Sequence, residues 1–216
     1  MGALINTKYW ESQPSISADG NFLFFSSNRY GGYGGADIWL SRKINNLWSE
    51  PVNLGPKINT PGDEYTPFLH YDNKTFYFAS KGHAGFGGFD LFTAELDTGG
   101  IFSNVQNLGY PINTHHDESG LIVTKNGLNA YFNSNISGNL DIYSFMLPKK
   151  FSPKPVAIVQ GQLIDSISRL GVSGDISIID FNEKWEYEIN VDKSGFFSFS
   201  VPMESVFSIN VYTKNY

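Results

Sequence analysis

The chain has no cysteine, which excludes disulfide frameworks, zinc knuckles and thiol nucleophiles and leaves the redox compartment unmarked. Basic residues are few, 15 Lys+Arg against 21 Asp+Glu in 216 residues, for a formal net charge of −6. That balance lacks the positive footprint that draws proteins to phosphate backbones or anionic bilayers, so neither nucleic acid nor a membrane surface is an expected partner. No apolar run approaches the ~18 to 20 residues of a membrane span. The opening Met-Gly-Ala-Leu-Ile-Asn-Thr-Lys-Tyr-Trp has neither the basic nor the apolar region of a secretory signal. Charged residues make up only 17%, whereas hydrophobics reach 41%, aromatics 16% and glycine 22 residues. Such a composition is too apolar for a disordered chain and too aromatic for a coiled coil, and it predicts a packed, turn-rich all-β protein.

An internal repeat sets the architecture. Asn53-Leu54-Gly55, Ile58-Asn59-Thr60 and Asp63-Glu64 recur 54 positions later as Asn107-Leu108-Gly109, Ile112-Asn113-Thr114 and Asp117-Glu118. The register also runs backwards, since Ile5-Asn6-Thr7 and Glu11 lie 53 positions before Ile58-Asn59-Thr60 and Glu64. Within each unit a turn dipeptide, Asp19-Gly20, Asp72-Asn73 or Asn126-Gly127, precedes a short aromatic run over 22–27, 75–80 or 129–134. A third run begins at Asp37, Asp90 and Asp141, and a fourth spans Trp48 to Asn53 and Phe102 to Asn107. Four short strands per ~50 residues describe a propeller blade. The third unit has no fourth run, so the expected fold is a partial β-propeller of three blades with the last incomplete. Propellers close with ~4 to 8 blades. Either the chain is a piece of a longer one, cut within a repeat at its start, or two copies complete one ring; the first is the leading expectation.

Residues 157–216 alternate apolar and polar positions in Val159 to Ile164, Ile176 to Ile179, Phe197 to Val201 and Phe207 to Val211, the period of half-buried strands. A small β-sandwich is expected there. Pro153 and Pro155 mark residues 149–156 as a linker after a propeller over 1–148. The acidity belongs to the repeats: residues 1–147 hold 8 basic and 13 acidic residues, and 148–216 hold 7 and 8.

The motifs Ser17-Ala18-Asp19-Gly20, Ser27-Asn28-Arg29 and Asp37-Ile38-Trp39 resemble the WD-like propeller repeats of the TolB type. The longer order, through Trp48-Ser49-Glu50-Pro51-Val52-Asn53-Leu54-Gly55 and Ile58-Asn59-Thr60, is similar to the propeller of Bacteroidetes OmpA-family envelope proteins, from Ile5 to about Pro148. Val159, Gly161, Leu163, Asp165, Asp192, Gly195, Phe197 and Phe199 resemble the carboxypeptidase-regulatory-type sandwich, whose usual Gly-Tyr ending is here Asn215-Tyr216. The resemblance implies a periplasm-facing, outer-membrane-associated parent, of the kind linked to type IX secretion. It implies envelope or secretion-system proteins as partners, and peptidoglycan as a partner through a C-terminal OmpA-like domain that this stretch does not include.

The chemical motifs point away from catalysis. Gly31-Gly32-Tyr33-Gly34-Gly35 lacks the Lys-Ser/Thr and helix of a phosphate loop and reads as a hairpin loop, as does Gly85-Phe86-Gly87-Gly88. His115-His116-Asp117-Glu118 has ligand chemistry, but adjacent residues on an extended segment face opposite sides. His70 and His83 stand alone, and no G-x-S-x-G elbow occurs. No catalytic residue, metal or cofactor is expected. Asp37, Asp90 and Asp141 begin equivalent strands and are read as acceptors for backbone N–H groups. Two roles are open for Glu11, Glu64 and Glu118: a carboxylate ring at the channel mouth that binds cations or a basic peptide, or caps that close loops. Tyr30, Tyr33 and Phe86 are the expected contacts on the loops. The function expected is a non-enzymatic scaffold or binding module for protein or glycan; the alternative is an accessory propeller and sandwich of a secreted hydrolase.

Overall fold

The computed structural model describes residues 2–44, 46–97, 99–181 and 186–213. It divides into two compact units, Met1–Pro155 and Val156–Tyr216. Both are built of antiparallel strands, so the chain is all-β, a partial propeller followed by a small sandwich.

The first unit contains three sheets, each an up-and-down meander. Blade one comprises β1 (Glu11–Ile16), β2 (Phe22–Ser27), β3 (Asp37–Ile44), β4 (Leu47–Trp48) and β5 (Val52–Asn53). Blade two comprises β6 (Glu64–Leu69), β7 (Thr75–Ser80), β8 (Asp90–Leu96) and β9 (Phe102–Asn107). Blade three has only β10 (Glu118–Val123), β11 (Asn129–Ser134) and β12 (Asp141–Met146). The fourth run of the first unit is not one strand: it splits into β4 and β5 around Ser49-Glu50-Pro51, because proline has no N–H to give the ladder.

Strand alternation sends successive side chains to opposite faces, and each junction between blades becomes a dry core. Phe24 and Ile38 of blade one meet Leu69, Phe76, Phe78 and Phe92 of blade two. Tyr77, Ala79 and Leu91 of blade two meet Leu121, Val123 and Ala130 of blade three. Ile58 and Ile112, from the recurring Ile-Asn-Thr, are buried in these two cores. Asn59 and Asn113 beside them imitate a strand: Ile38 N–H donates to Asn59 Oδ1 at 2.8 Å while Asn59 Nδ2 donates to the Ile38 carbonyl at 2.9 Å, and Asn113 does the same with Leu91. Among the described residues no blade packs beyond blade three. Ile142, equivalent to the fully buried Ile38 and Leu91, is 78% exposed.

The stretch read as a linker from 149 to 156 is in part a packed element. Lys149–Phe151 forms a 3-10 turn, Phe151 is buried in the core between blades two and three, and its carbonyl accepts the buried Tyr77 hydroxyl at 2.6 Å. A large apolar ring is more stable in that core than in water.

The second unit pairs β13 (Val156–Gln162) with β16 (Phe196–Pro202) in one sheet, and β14 (Gly174–Asp180) with β15 (Glu186–Val191) and β17 (Phe207–Tyr212) in the other. Ile176, Ile178, Ile189 and Val191 of the second sheet and Phe199 and Val201 of the first form its core. Gly195 has φ 76° at the turn into β16, a conformation that favours glycine. The terminal Asn215-Tyr216 lies outside the described residues.

Candidate functional site

The recurring Thr-x-x-x-Glu closes the loop that leads into each blade. Thr60 N–H and Oγ1 donate to Glu64 at 2.8 and 2.6 Å, and Ser80 Oγ donates to the same carboxylate at 2.6 Å. Glu118 repeats this with Thr114 at 2.9 and 2.7 Å and with Ser134 at 3.1 Å. Both carboxylates are buried. Glu11 takes Thr7, Ser27 and, at 3.2 Å, the Arg29 guanidinium. Burial opposes its ionisation, but the bonds from Thr7, the Arg29 charge and Ser27 hold its carboxyl below the usual range. A ring of open carboxylates at a channel mouth is therefore not what Glu64 and Glu118 form; their oxygens already accept from their own blades, which is the loop-closing role.

The aspartate before each glutamate is a bracket between blades. Asp63 Oδ1 accepts Ala36 N–H at 2.9 Å and Asp117 Oδ1 accepts Phe89 N–H at 2.8 Å, each from the preceding blade. A Cβ added at Gly35 or Gly88 would fall 2.2 or 2.1 Å from those oxygens, so the glycine loops permit the approach.

Asp37 and Asp90 hold the loops that carry the predicted aromatic contacts. Asp37 Oδ2 accepts Tyr33 N–H at 2.6 Å and Asn53 Nδ2 at 2.7 Å. Asp90 Oδ2 accepts Phe86 and Gly87 N–H at 2.9 and 3.2 Å. Burial pushes the Asp90 carboxyl up in spite of these donors. Asp141 differs: it is exposed and accepts the Ser137 hydroxyl instead of a backbone N–H. Tyr30, Tyr33 and Phe86 all lie exposed on the loops before β3 and β8.

The histidines serve the scaffold. His70 is fully buried; its Nδ1 accepts Asp72 N–H at 3.1 Å and its Nε2 donates to the Thr124 carbonyl at 3.1 Å. His83 Nε2 donates to the Ile58 carbonyl at 2.9 Å. The His115 and His116 rings lie 4.0 Å apart in the loop before β10. Among the described residues no three His, Asp or Glu side chains converge as a metal site.

Three aromatic residues not singled out from the sequence come together beside these carboxylates. Trp10 and Tyr65 have ring centroids 5.3 Å apart, and Tyr65 stacks on Phe89 at 4.7 Å. Lys81 Nζ caps the row, 4.3 Å from the Phe89 centroid. A cleft of about 370 Å³ opens here, lined by Trp10, Asn28, Gly35, Ala36, Asp63 and Tyr65. The available signal was adjacency: Trp10, Tyr65 and Phe89 neighbour the repeat carboxylates Glu11, Glu64 and Asp90.

No family model matches the chain, and no curated protein matches it. Solved structures do. TolB from Acinetobacter baumannii matches at 13% identity with a TM-score of 0.46, over 92% of this chain and 44% of that one, so the chain spans less than half its length. A protein described as TolB from Agrobacterium tumefaciens matches at 14% identity and TM-score 0.35, over 93% and 92% of the two chains. An alpha-L-arabinofuranosidase from Lactobacillus brevis matches at 15% identity and TM-score 0.44, over 93% and 74%. TolB-like propeller proteins are thus among the structural neighbours, and at these identities the likeness concerns the fold alone.

Proposed function

We propose that the chain is a non-enzymatic binding module of a cell-envelope protein, recognising protein or glycan on the loop ends of its blades. The observation that carries this reading is the division of labour among side chains. Glu64, Glu118, Asp117, His70 and His83 have their polar atoms engaged by the scaffold, whereas Tyr30, Tyr33, Phe86 and Trp10 are presented to solvent. Covalent catalysis needs a nucleophile and a base kept available to substrate. Recognition needs aromatic surface on a rigid frame, and exposed tyrosine and tryptophan supply it with little loss of side-chain entropy. The motif resemblance to OmpA-family envelope proteins supports a periplasmic, outer-membrane-associated setting with envelope or secretion-system partners, and a spacer role for the regulatory-type sandwich.

The test is capture of solubilised envelope proteins by the immobilised chain, with a Tyr30→Ala, Tyr33→Ala, Phe86→Ala triple variant alongside. Loss of capture in the variant, at unchanged melting temperature, is the expected result. Equal capture by both removes these loops from the binding surface.

A further inference from the structure

We propose that the cleft between blades one and two binds a carbohydrate, its exposed Trp10 ring, backed by Tyr65, stacking on a pyranose face while Asp63 and Asn28 read its hydroxyls. This rests on the recognition reading above and names a site and a ligand class for it.

The polar handles arise from exchanges between repeats. In blade three the position before the glutamate is Asp117 and the position after the second strand is Asn135, and the pair satisfies itself: Asn135 Nδ2 donates to Asp117 Oδ2 at 3.1 Å. Blade one keeps the asparagine but has Trp10 where Asp117 stands. Asn28 Oδ1 accepts Trp10 N–H at 3.0 Å, and its Nδ2 has no acceptor among the described residues. Blade two keeps the aspartate but has Lys81 where Asn135 stands, and that lysine lies over the Phe89 ring. Asp63 gives Oδ1 to Ala36 N–H, and its Oδ2 has no donor among the described residues. The two halves of a pair that closes on itself in blade three are thus separated onto the two blades that line one cleft.

A carboxylate acceptor and an amide donor match neighbouring hydroxyls, one donating and the next accepting. The exposed Trp10 ring matches the C–H face of a pyranose, and the volume lies at the small end of ligand clefts. A basic peptide would satisfy Asp63 but leave the Asn28 amide without an acceptor from its charged groups. The cleft also has no second carboxylate for such a peptide.

Isothermal titration of the whole chain with cellotetraose, xylotetraose, mannotetraose and chitotetraose tests the proposal. Saturable binding of at least one is expected. It should weaken about tenfold in Trp10→Ala and about fivefold in Asp63→Asn, which keeps an oxygen for Ala36 N–H. Ile167→Ala, exposed and outside both the cleft and the aromatic loops, should leave it unchanged. Should Trp10→Ala fail to fold, Asp63→Asn decides alone. Binding of none of the four sugars overturns the proposal, as does unchanged affinity in folded variants or binding of an oligolysine probe alone. Capture of envelope proteins without sugar binding would leave the recognition reading standing; loss of both removes both.

Discussion

The Thr66 amide donates to Gln13 Oε1 at 3.0 Å across the junction of blades one and two. One repeat later the Gly120 amide donates to Thr66 Oγ1, again at 3.0 Å. All three residues sit at the bulge of the first strand of their blade and have left-handed backbones, with φ of 55°, 50° and 68°. The bulge interrupts the ladder within the blade, and the freed N–H finds its acceptor on the side chain of the preceding blade. A left-handed non-glycine residue costs roughly 1–3 kcal/mol, so the bond between blades stabilises a conformation that the isolated strand would avoid.

Gln13→Ala removes the acceptor and leaves the Thr66 amide unpaired. The expected loss is about 1 kcal/mol, seen as a lower urea midpoint with unchanged slope. A midpoint equal to that of the parent would show that the bond contributes nothing.

Glu64→Gln exchanges a buried carboxylate that accepts three bonds for an amide that must turn its NH2 towards Thr60 or Ser80. We expect a loss of about 2 kcal/mol, and a similar one for Glu118→Gln. Thermal unfolding with each variant measures it, and a Glu64→Gln chain as stable as the parent would contradict the loop-closing role.

Acid should destabilise the propeller unit. Burial disfavours the ionised Asp72, but the adjacent His70 ring and the bonds from Thr75 and Lys74 outweigh it and hold the carboxyl below its usual range; Glu11 is lowered likewise. A lowered folded pKa contributes stability that is present above the unfolded value, ~4, and is lost as pH falls through the folded one. Asp90, raised by burial, acts in the opposite sense over the same descent. The contributions of Asp72 and Glu11 should be lost below about pH 4, with the Asp90 change opposing them. Melting temperatures from neutral pH down to the acid range check this, and Asp72→Asn should flatten the acid limb.

Ile142→Lys should be tolerated within about 0.5 kcal/mol, because the side chain is exposed on the open face of blade three. Leu91→Lys, at the equivalent buried position of blade two, should prevent folding of the unit, since it places an unpaired charge in the core. Circular dichroism of the two variants separates the outcomes. Collapse of the Ile142 variant would mean that this face is covered in solution.

The all-β class, the repeat register and most strands are legible in the sequence because they rest on local chemistry: alternation over six residues and turn dipeptides that bend the chain within four. Trp48 to Asn53 is the exception at that scale, where Pro51 breaks a run whose apolar pattern suggests continuity. What no local pattern could decide is which polar atoms are satisfied. For Glu64 and Glu118 the sequence leaves open whether the carboxylates are free or close loops until the loop threonine and the second-strand serine are brought to them, and Phe151 looks like part of a linker until the core between blades two and three receives it. The cleft is the same case in reverse. Trp10, Asn28, Asp63 and Tyr65 lie as far apart in the sequence as neighbouring repeats, and only the packing of one blade on the next brings them together. Hydrogen bonds and burial are properties of neighbours in space, so the tertiary structure alone assigns them.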